Sequence, residues 1–405
     1  MKYIIVIMDG AADRPMEELG GKTPLQAAKK DNIDGLAKKS RCGLFRTIPR
    51  NFSTGSAVAN LSILGYDPIE HFHGRGVLEA AAMNVPLDGT DVAFRCNTIC
   101  VSEDGKIKNH SAGHISSEEA SVLIAYANEK LGSDRIVFHQ GVSYRHLLVL
   151  KGGFSPDVKC YPPHDYTGIP YKELFVKPKN EQAKETAGLL NKIIDDSERI
   201  MEKHPVNIAR AKAGKDMANM LWPWSPGKKP AMKTFQERFG IKGAVISAVD
   251  LIKGLGLYGG FDIINVQGAT GLYNTNYEGK AEGCIRALEN HDLVYVHVEA
   301  PDEASHEGDA RLKVKCIEDI DRRLTGNILK GINIKNTAMA FLPDHYTPVF
   351  TKAHSPEPVP FMIYNPLKEP DSVQTFDETA CASGSYGLVE DNTFINKLLG
   401  RGDNG

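Results

Sequence analysis

Three apolar runs in this chain each deliver an acidic residue at their end, and no other feature constrains the fold as much. YIIVIMDG delivers Asp9, LVYVHVEAPD (293–302) delivers Asp302, and TAMAFLPDH (337–345) delivers Asp344. Each run is short, rich in β-branched side chains and apolar almost throughout. Such runs predict strands buried on both faces, as in parallel sheets covered by helices. Open α/β sheets gather their functional groups at the C-terminal edges of the strands. If the three strands lie parallel, the three carboxylates meet there. AVISAVDLIKGLG (244–256) reads as strand into helix, and DIINVQGATG (262–271) as strand into a Gly-rich turn. KVKCIEDIDRRLTGNILKGI (313–332) has helical spacing. The predicted class is α/β, with a central, mostly parallel sheet.

The middle of the chain has another texture. VAFRCNTICVSEDGKIKNH (92–110) predicts a hairpin turning at Glu-Asp-Gly. SSEEASVLIAYANEKLG (116–132) opens with a Ser cap and early glutamates and closes on Gly, all helix signals. RIVFHQGVSYRHLLVLKGG (135–153) reads as two more strands. This α+β segment predicts a smaller domain inserted over 78–178 into a longer α/β domain made of 1–77 and 179–405. KCYPPHDYTGIPY (159–171) is the expected return linker. Residues 180–204 read as an amphipathic helix, and LWPWSPGKKP (221–230) as a surface loop.

Bulk properties exclude several classes. The 405 residues carry a formal charge of −3, so there is no basic footprint for nucleic acid. No uninterrupted apolar run is long enough to cross a bilayer. The N-terminal YIIVIM is followed at once by Asp9 and reads as a strand rather than a signal peptide. Seven cysteines, odd in number and with no CxxC pair, predict reduced thiols in the cytoplasm.

The candidate chemistry clusters around the acid-ending runs. Asp302 and His306, four apart, share a face if the segment is helical. Adjacent Asp344 and His345 can face one site only where the chain leaves the pleat, and Pro343 and Pro348 mark such a break. His354 sits among Pro356, Pro358 and Pro360, which predict a fixed loop. Ser56 precedes VANLSIL, a predicted helix, so its hydroxyl would lie at the positive end of a helix dipole. Ser53 and Thr54 are the competing hydroxyls. Carboxylates and imidazoles are the donors that Zn²⁺ and Mn²⁺ accept. The constellation therefore predicts two metal ions flanking a serine nucleophile, an arrangement suited to phosphoryl transfer.

MDGAADRP, GGKTPLQAA, STGSAVANLSILGYDP, GRGVLEAA, SAGHIS, GVSYRHLLVLKGG, GATGLYNTNYEGKA, HVEAPDEASHEGD and PDHYTP together run from residue 8 to about 360. In sequence and order they resemble the 2,3-bisphosphoglycerate-independent phosphoglycerate mutases, archaeal-type branch, of the alkaline phosphatase superfamily. The resemblance implies that 1–77 and 179–405 form an alkaline phosphatase-like catalytic domain with two divalent ions, Mn²⁺, Zn²⁺ or Mg²⁺, that the insert 78–178 binds substrate, and that no 2,3-bisphosphoglycerate is needed. It implies that Asp9, Ser56, Asp344 and His345 bind one ion, and that Asp302, His306 and His354 bind the other. Ser56 would carry the phosphoryl group, and Arg75 and Arg145 would grip the substrate, a small phosphorylated metabolite. Two departures stand out. The family's usual Gly-Ser-Asp is Gly-Ser-Ala here, with Ala57. Leu-Pro-Asp-His and Tyr-Pro-Pro-His-Asp resemble a bacterial sub-branch proposed to be homoserine kinases. The expected reaction is interconversion of 3- and 2-phosphoglycerate in glycolysis. ATP-dependent homoserine phosphorylation is the alternative, although the chain has no Walker-type phosphate loop. A phosphatase or phosphodiesterase, with water as acceptor, is a third reading.

Overall fold

In the computed structural model, which describes residues 1–390 and 393–401, the strands fall in chain order as follows. They are β1 (Lys2–Met8), β2 (Ser40–Phe45), β3 (Val92–Val101), β4 (Ile107–Asn109), β5 (Ile136–His139), β6 (Arg145–Leu150), β7 (Val158–Lys159) and β8 (Lys177–Pro178). There follow β9 (Met220–Gly227), β10 (Gly243–Ile246), β11 (Asp262–Ile263), β12 (Leu293–Val298), β13 (Thr337–Leu342), β14 (Val359–Tyr364) and β15 (Gly387–Val389). The chain divides into two compact units, one of Met1–Phe72 with Ala231–Gly405 and one of His73–Pro230.

The first unit is built on an eight-stranded sheet in the order β11-β10-β12-β1-β13-β14-β2-β15. Only β14 runs against the others. The three acid-ending runs become the adjacent strands β12, β1 and β13. Ile4 pairs with Val294 on one side and Met339 on the other, and Ile7 with His297 and Leu342. This register aligns the C-terminal ends of all three strands. Ile4, Val6, Met8, Val294, Val296 and Phe341 are fully buried and share one core cluster. Each such side chain contributes about 1.5–3 kcal/mol relative to exposure, so a slip of register would be expensive. The DIINV run pairs over only Asp262–Ile263 before leaving the sheet.

The second unit is an antiparallel sheet, β4-β3-β6-β5, with β9 also on β3. The predicted hairpin, helix and two strands are all present. The helix Ser117–Leu131 is closed at its N-terminus by a reciprocal Ser116–Glu119 capping box. LWPWSPG is not a surface loop. It forms β9, in antiparallel register with β3 from Ile99↔Met220 to Ala93↔Gly227. Trp222 is buried, and its Nε1 donates to the Tyr161 carbonyl at 2.7 Å. Trp224 Nε1 donates to Asn97 Oδ1 at 3.0 Å. The prolines are tolerated because, among the described residues, β9 pairs only with β3, and an edge strand can spare amide donors. The helix Lys184–Met201 packs into the same core. The unit therefore runs to Pro230, past the 178 drawn from composition, and begins at His73 rather than 78.

Candidate functional site

At the aligned strand ends of the first unit, backbone geometry brings the predicted acids together. Asp9 follows β1, and its amide donates to the Val298 carbonyl of β12 at 2.9 Å. Gly10 turns the chain with φ of 60°. A Cβ there would sit 2.7 Å from Thr347 Oγ1 and 2.8 Å from Asp302 Cβ, so only glycine allows the close approach. Asp302 is not a strand-end residue. It lies in the first turn of the helix Ala300–Glu307, with His306 one turn on and its Nε2 3.1 Å from Asp302 Oδ2. Asp344 and His345 follow β13 where the chain leaves the pleat, as Pro343 and Pro348 predict. Ser56 is the first residue of the helix Ser56–Ile63, behind Gly55 at φ 149°, so it is not the cap itself.

The donor atoms form two adjoining groups. In one, Asp302 Oδ2 lies 3.1 Å from His306 Nε2 and 3.5 Å from His354 Nε2, and those two nitrogens are 3.1 Å apart. In the other, His345 Nε2 lies 3.1 Å from Ser56 Oγ, 3.5 Å from Asp9 Oδ1 and 3.6 Å from Asp344 Oδ2. The His345 and His354 rings stack with centroids 4.0 Å apart, which joins the groups. His297, from inside β12, puts Nε2 3.1 Å from Asp9 Oδ2. Asp9, His297 and Asp344 offer atoms all within 4.8 Å of one another, as do Asp302, His345 and His354.

Supporting hydrogen bonds fix these groups. Thr347 Oγ1 donates to Asp302 Oδ1 at 2.5 Å, so it can only accept from His345 Nδ1 at 3.0 Å. That assigns the His345 proton to Nδ1 and turns the Nε2 lone pair towards Ser56. His306 Nδ1 donates to the Lys352 carbonyl at 2.9 Å and so aims Nε2 inward. Asn60 Nδ2 donates to Asp344 Oδ2 at 2.9 Å, while the Tyr295 hydroxyl donates to Asn60 Oδ1.

The electrostatics are those of an anionic cluster short of cations. Burial, then the Asp344 charge, raises the Asp9 carboxyl well above its usual range. Glu299 is pushed to about 8 by burial and by Glu303 and Asp302. Burial would also raise Asp302, but hydrogen bonds from His306 and His354 outweigh it and hold it well below the carboxylate range. The Asp302 hydrogen bond in turn raises His306 to about 9. Burial lowers His345, and lowers His297 to about 4. Asp9 Oδ1 and His297 Nε2 are buried without a hydrogen-bond partner. Orphaned buried atoms of this kind call for a ligand, and a carboxylate–imidazole donor set fits divalent cations.

Arg75 and Arg145 belong to the second unit and are exposed. Between them chemically stands Arg95, which the sequence reading missed. Its guanidinium lies 4.3 Å over the Trp224 ring and 2.9 Å from Glu79. Burial lowers it to about 10, against Glu79, with Arg75 and Arg145 both adding repulsion. Arg75 and Arg145 thus lie close enough to Arg95 for their charges to repel it. His297, Asn60 and Thr347 were missed too. His297 had a signal, since a histidine inside a fully apolar central strand needs a polar partner. Asn60 and Thr347 had none.

The fold that carries this cluster is similar to that of a solved cofactor-independent phosphoglycerate mutase from Thermoplasma acidophilum. It is 30% identical, covers 99% of each chain and has a TM-score of 0.71. A solved Pyrococcus horikoshii protein superposes with a TM-score of 0.85 at 29% identity, over 100% of this chain and 98% of its own. The sequence model described as 2,3-bisphosphoglycerate-independent phosphoglycerate mutase matches residues 37–207. A curated protein of that name from Methanosarcina acetivorans is 48% identical over 402 residues, 98% of this chain and 100% of the relative. The chain belongs to the 2,3-bisphosphoglycerate-independent phosphoglycerate mutase family.

Proposed function

We propose that the protein interconverts 3-phosphoglycerate and 2-phosphoglycerate by passing the phosphoryl group through Ser56, without 2,3-bisphosphoglycerate. The observation that carries this reading is the Ser56 hydroxyl at a helix start, 3.1 Å from His345 Nε2 and beside the buried acids. Asp9, Ser56, Asp344 and His345 would hold one divalent cation, and Asp302, His306 and His354 the other, with Mn²⁺, Zn²⁺ and Mg²⁺ as candidates. When bound, the pair would acidify the hydroxyl and offset charge on the phosphoryl group. Ser56 Oγ forms its bond to phosphorus as the bond to the 3-hydroxyl oxygen breaks. The glycerate turns, and its 2-hydroxyl takes the phosphoryl group back and frees Ser56. The positive end of the helix Ser56–Ile63 favours the phosphoserine dianion. The near-complete burial of Asp9, Asp344 and His345 supports exclusion of water, which would otherwise hydrolyse it. Arg75 and Arg145 would hold the substrate phosphate or carboxylate by paired hydrogen bonds.

The relatives reported above favour the mutase over the homoserine kinase, because the two whose names state an activity are named as mutases. No described helix is long and apolar enough to cross a membrane. The seven cysteines are free thiols, which supports a reducing compartment such as the cytoplasm, and on the mutase reading the reaction is a step of glycolysis. The test is a panel on metal-reconstituted protein. It compares isomerisation of 3-phosphoglycerate, ATP-dependent phosphorylation of homoserine, and hydrolysis of p-nitrophenyl phosphate. Isomerisation should dominate, and a dominant kinase or hydrolase rate would overturn the reading.

A further inference from the structure

We propose that His297 is a direct nitrogen ligand of the cation held by Asp9 and Asp344, an eighth donor beyond the seven that the family resemblance implies. The proposal rests on the reading that those carboxylates bind a divalent ion. Three observations carry it. First, His297 is fully buried inside β12, in a run otherwise made of Leu, Val and Tyr. An imidazole there has to find a partner. Second, its Nε2 lies 3.1 Å from Asp9 Oδ2, yet Nε2 has no hydrogen-bond partner, and neither has Asp9 Oδ1. Two orphaned atoms, both deep in the same cluster, point at a shared occupant rather than at each other. Third, Asp9, His297 and Asp344 offer their atoms within 4.8 Å of one another, the spacing of ligands around one small ion.

The rest of the residue is arranged to match. His297 Nδ1 stands 3.5 Å from Ser247 Oγ, so the far side of the ring already faces a hydroxyl. The His297 carbonyl accepts from Lys280 Nζ at 2.8 Å, which pins the strand where the ring leaves it. Asp9 would then present Oδ2 on the side of His297 and Oδ1 on the side of His345. The chemical consequence is selectivity. An ion with imidazoles from both His297 and His345 is pushed towards Zn²⁺, Co²⁺ or Mn²⁺ and away from Mg²⁺, which prefers oxygen.

The experiment counts and titrates metal, independently of catalysis. Cobalt(II) is titrated into metal-free wild type, His297→Gln and His297→Leu, followed by visible absorption and by elemental analysis. Loss of an outer-shell partner weakens metal binding about 10–100-fold. Loss of a ligand should weaken one of the two cobalt equivalents by more than about 100-fold in His297→Leu. The visible bands of that equivalent should change, and the other equivalent should be unaffected. Two equivalents with wild-type affinity and spectrum in both variants would overturn the proposal. Because a buried histidine could be needed for folding, a second measurement uses wild type alone. With ¹⁵N-labelled histidine, zinc should move the His297 Nε2 resonance to a metal-bound position, and an unmoved resonance overturns the assignment. Failure of the mutase reading shows differently, as metal binding without isomerisation of phosphoglycerate.

Discussion

The two donor groups differ most in their access to water. The side chains of Asp9, His297, Asp344 and His345 are at most 2% exposed, whereas those of His306 and His354 are 38% and 24% exposed. The difference follows from what carries them. The buried group grows from three adjacent strands whose mutual register is set by backbone ladders. The open group grows from one short helix and one proline-bounded loop, tied by the His306–Lys352 hydrogen bond and by Lys352 Nζ donating to the Glu307 carbonyl. A sheet edge cannot shift one strand without breaking its pairing, so the buried geometry is a property of the fold. The open geometry is local and adjustable. This contrast teaches where permanence and exchange should lie within a two-ion site.

The largest expected effect tests the buried side. Ser56→Ala should lower kcat by about 10³-fold or more, as removal of a covalent nucleophile does. The melting temperature should stay close to wild type, because Gly55 rather than Ser56 occupies the cap position. Trapping with labelled phosphoglycerate followed by peptide mapping checks the site, and label on Ser53 or Thr54 would move the nucleophile. Thr347→Val comes next and probes the bridge between the groups. Its hydroxyl serves both Asp302 and His345, so metal affinity should fall about 10–100-fold. If only one ion is weakened, the groups are independent and the bridge does not couple them.

The third prediction separates the groups by pH. In metal-free protein His306 titrates at about 9, above its unfolded value near 6.5. Its pairing with Asp302 therefore adds stability that is complete below about pH 6.5 and lost as pH rises through 9. Cation binding has the opposite sign, since the Nε2 proton must leave. Affinity of the open group should climb across that window and level off above it. The buried imidazoles lie below the usual range and are already neutral, so their share of loading should be flat. Calorimetry in buffers of different ionisation enthalpy reads the protons released. His306→Ala should remove the part of the slope that belongs to the open group, and one ion with it, without unfolding the chain, leaving the proton that the raised Asp9 carboxyl must give up on loading the buried group. The smallest effect is expected from Arg145→Ala, about tenfold in kcat/KM with metal content unchanged, consistent with loss of one charge-assisted contact. An unaltered kcat/KM would remove that arginine from the substrate site.

How far the sequence could be read depended on whether a residue's signal was local. That Asp9, Asp302 and Asp344 converge was legible, because each ends a run whose apolar character demands a buried parallel strand. The Asp302–His306 pairing was legible from its spacing of four, although the residue was expected at a strand end and lies in a helix. His297 was overlooked because it breaks its run by one residue and carries no spacing. Thr347 lies two residues from His345, but its bond to Asp302 and that of Asn60 to Asp344 span 45 and 284 positions, and nothing local announces those contacts. The extent of the second unit escaped for a similar reason. β9 returns to β3 from more than 100 residues downstream, and its Trp-Pro-Trp-Ser-Pro composition imitates a loop.

Gly10 has a consequence for how this chain can vary. It has no functional group, yet its φ of 60° and the proximity of Thr347 and Asp302 forbid any side chain. In a saturation library scored for survival, position 10 should be as intolerant as the carboxylate beside it, and alanine should fare no better than tryptophan. A ranking of positions by intolerance would then contain two kinds of residue, those that react and those that keep empty the space in which reaction occurs. Only the rescue pattern separates them, since a lost ligand can answer to a change of metal and a lost void cannot.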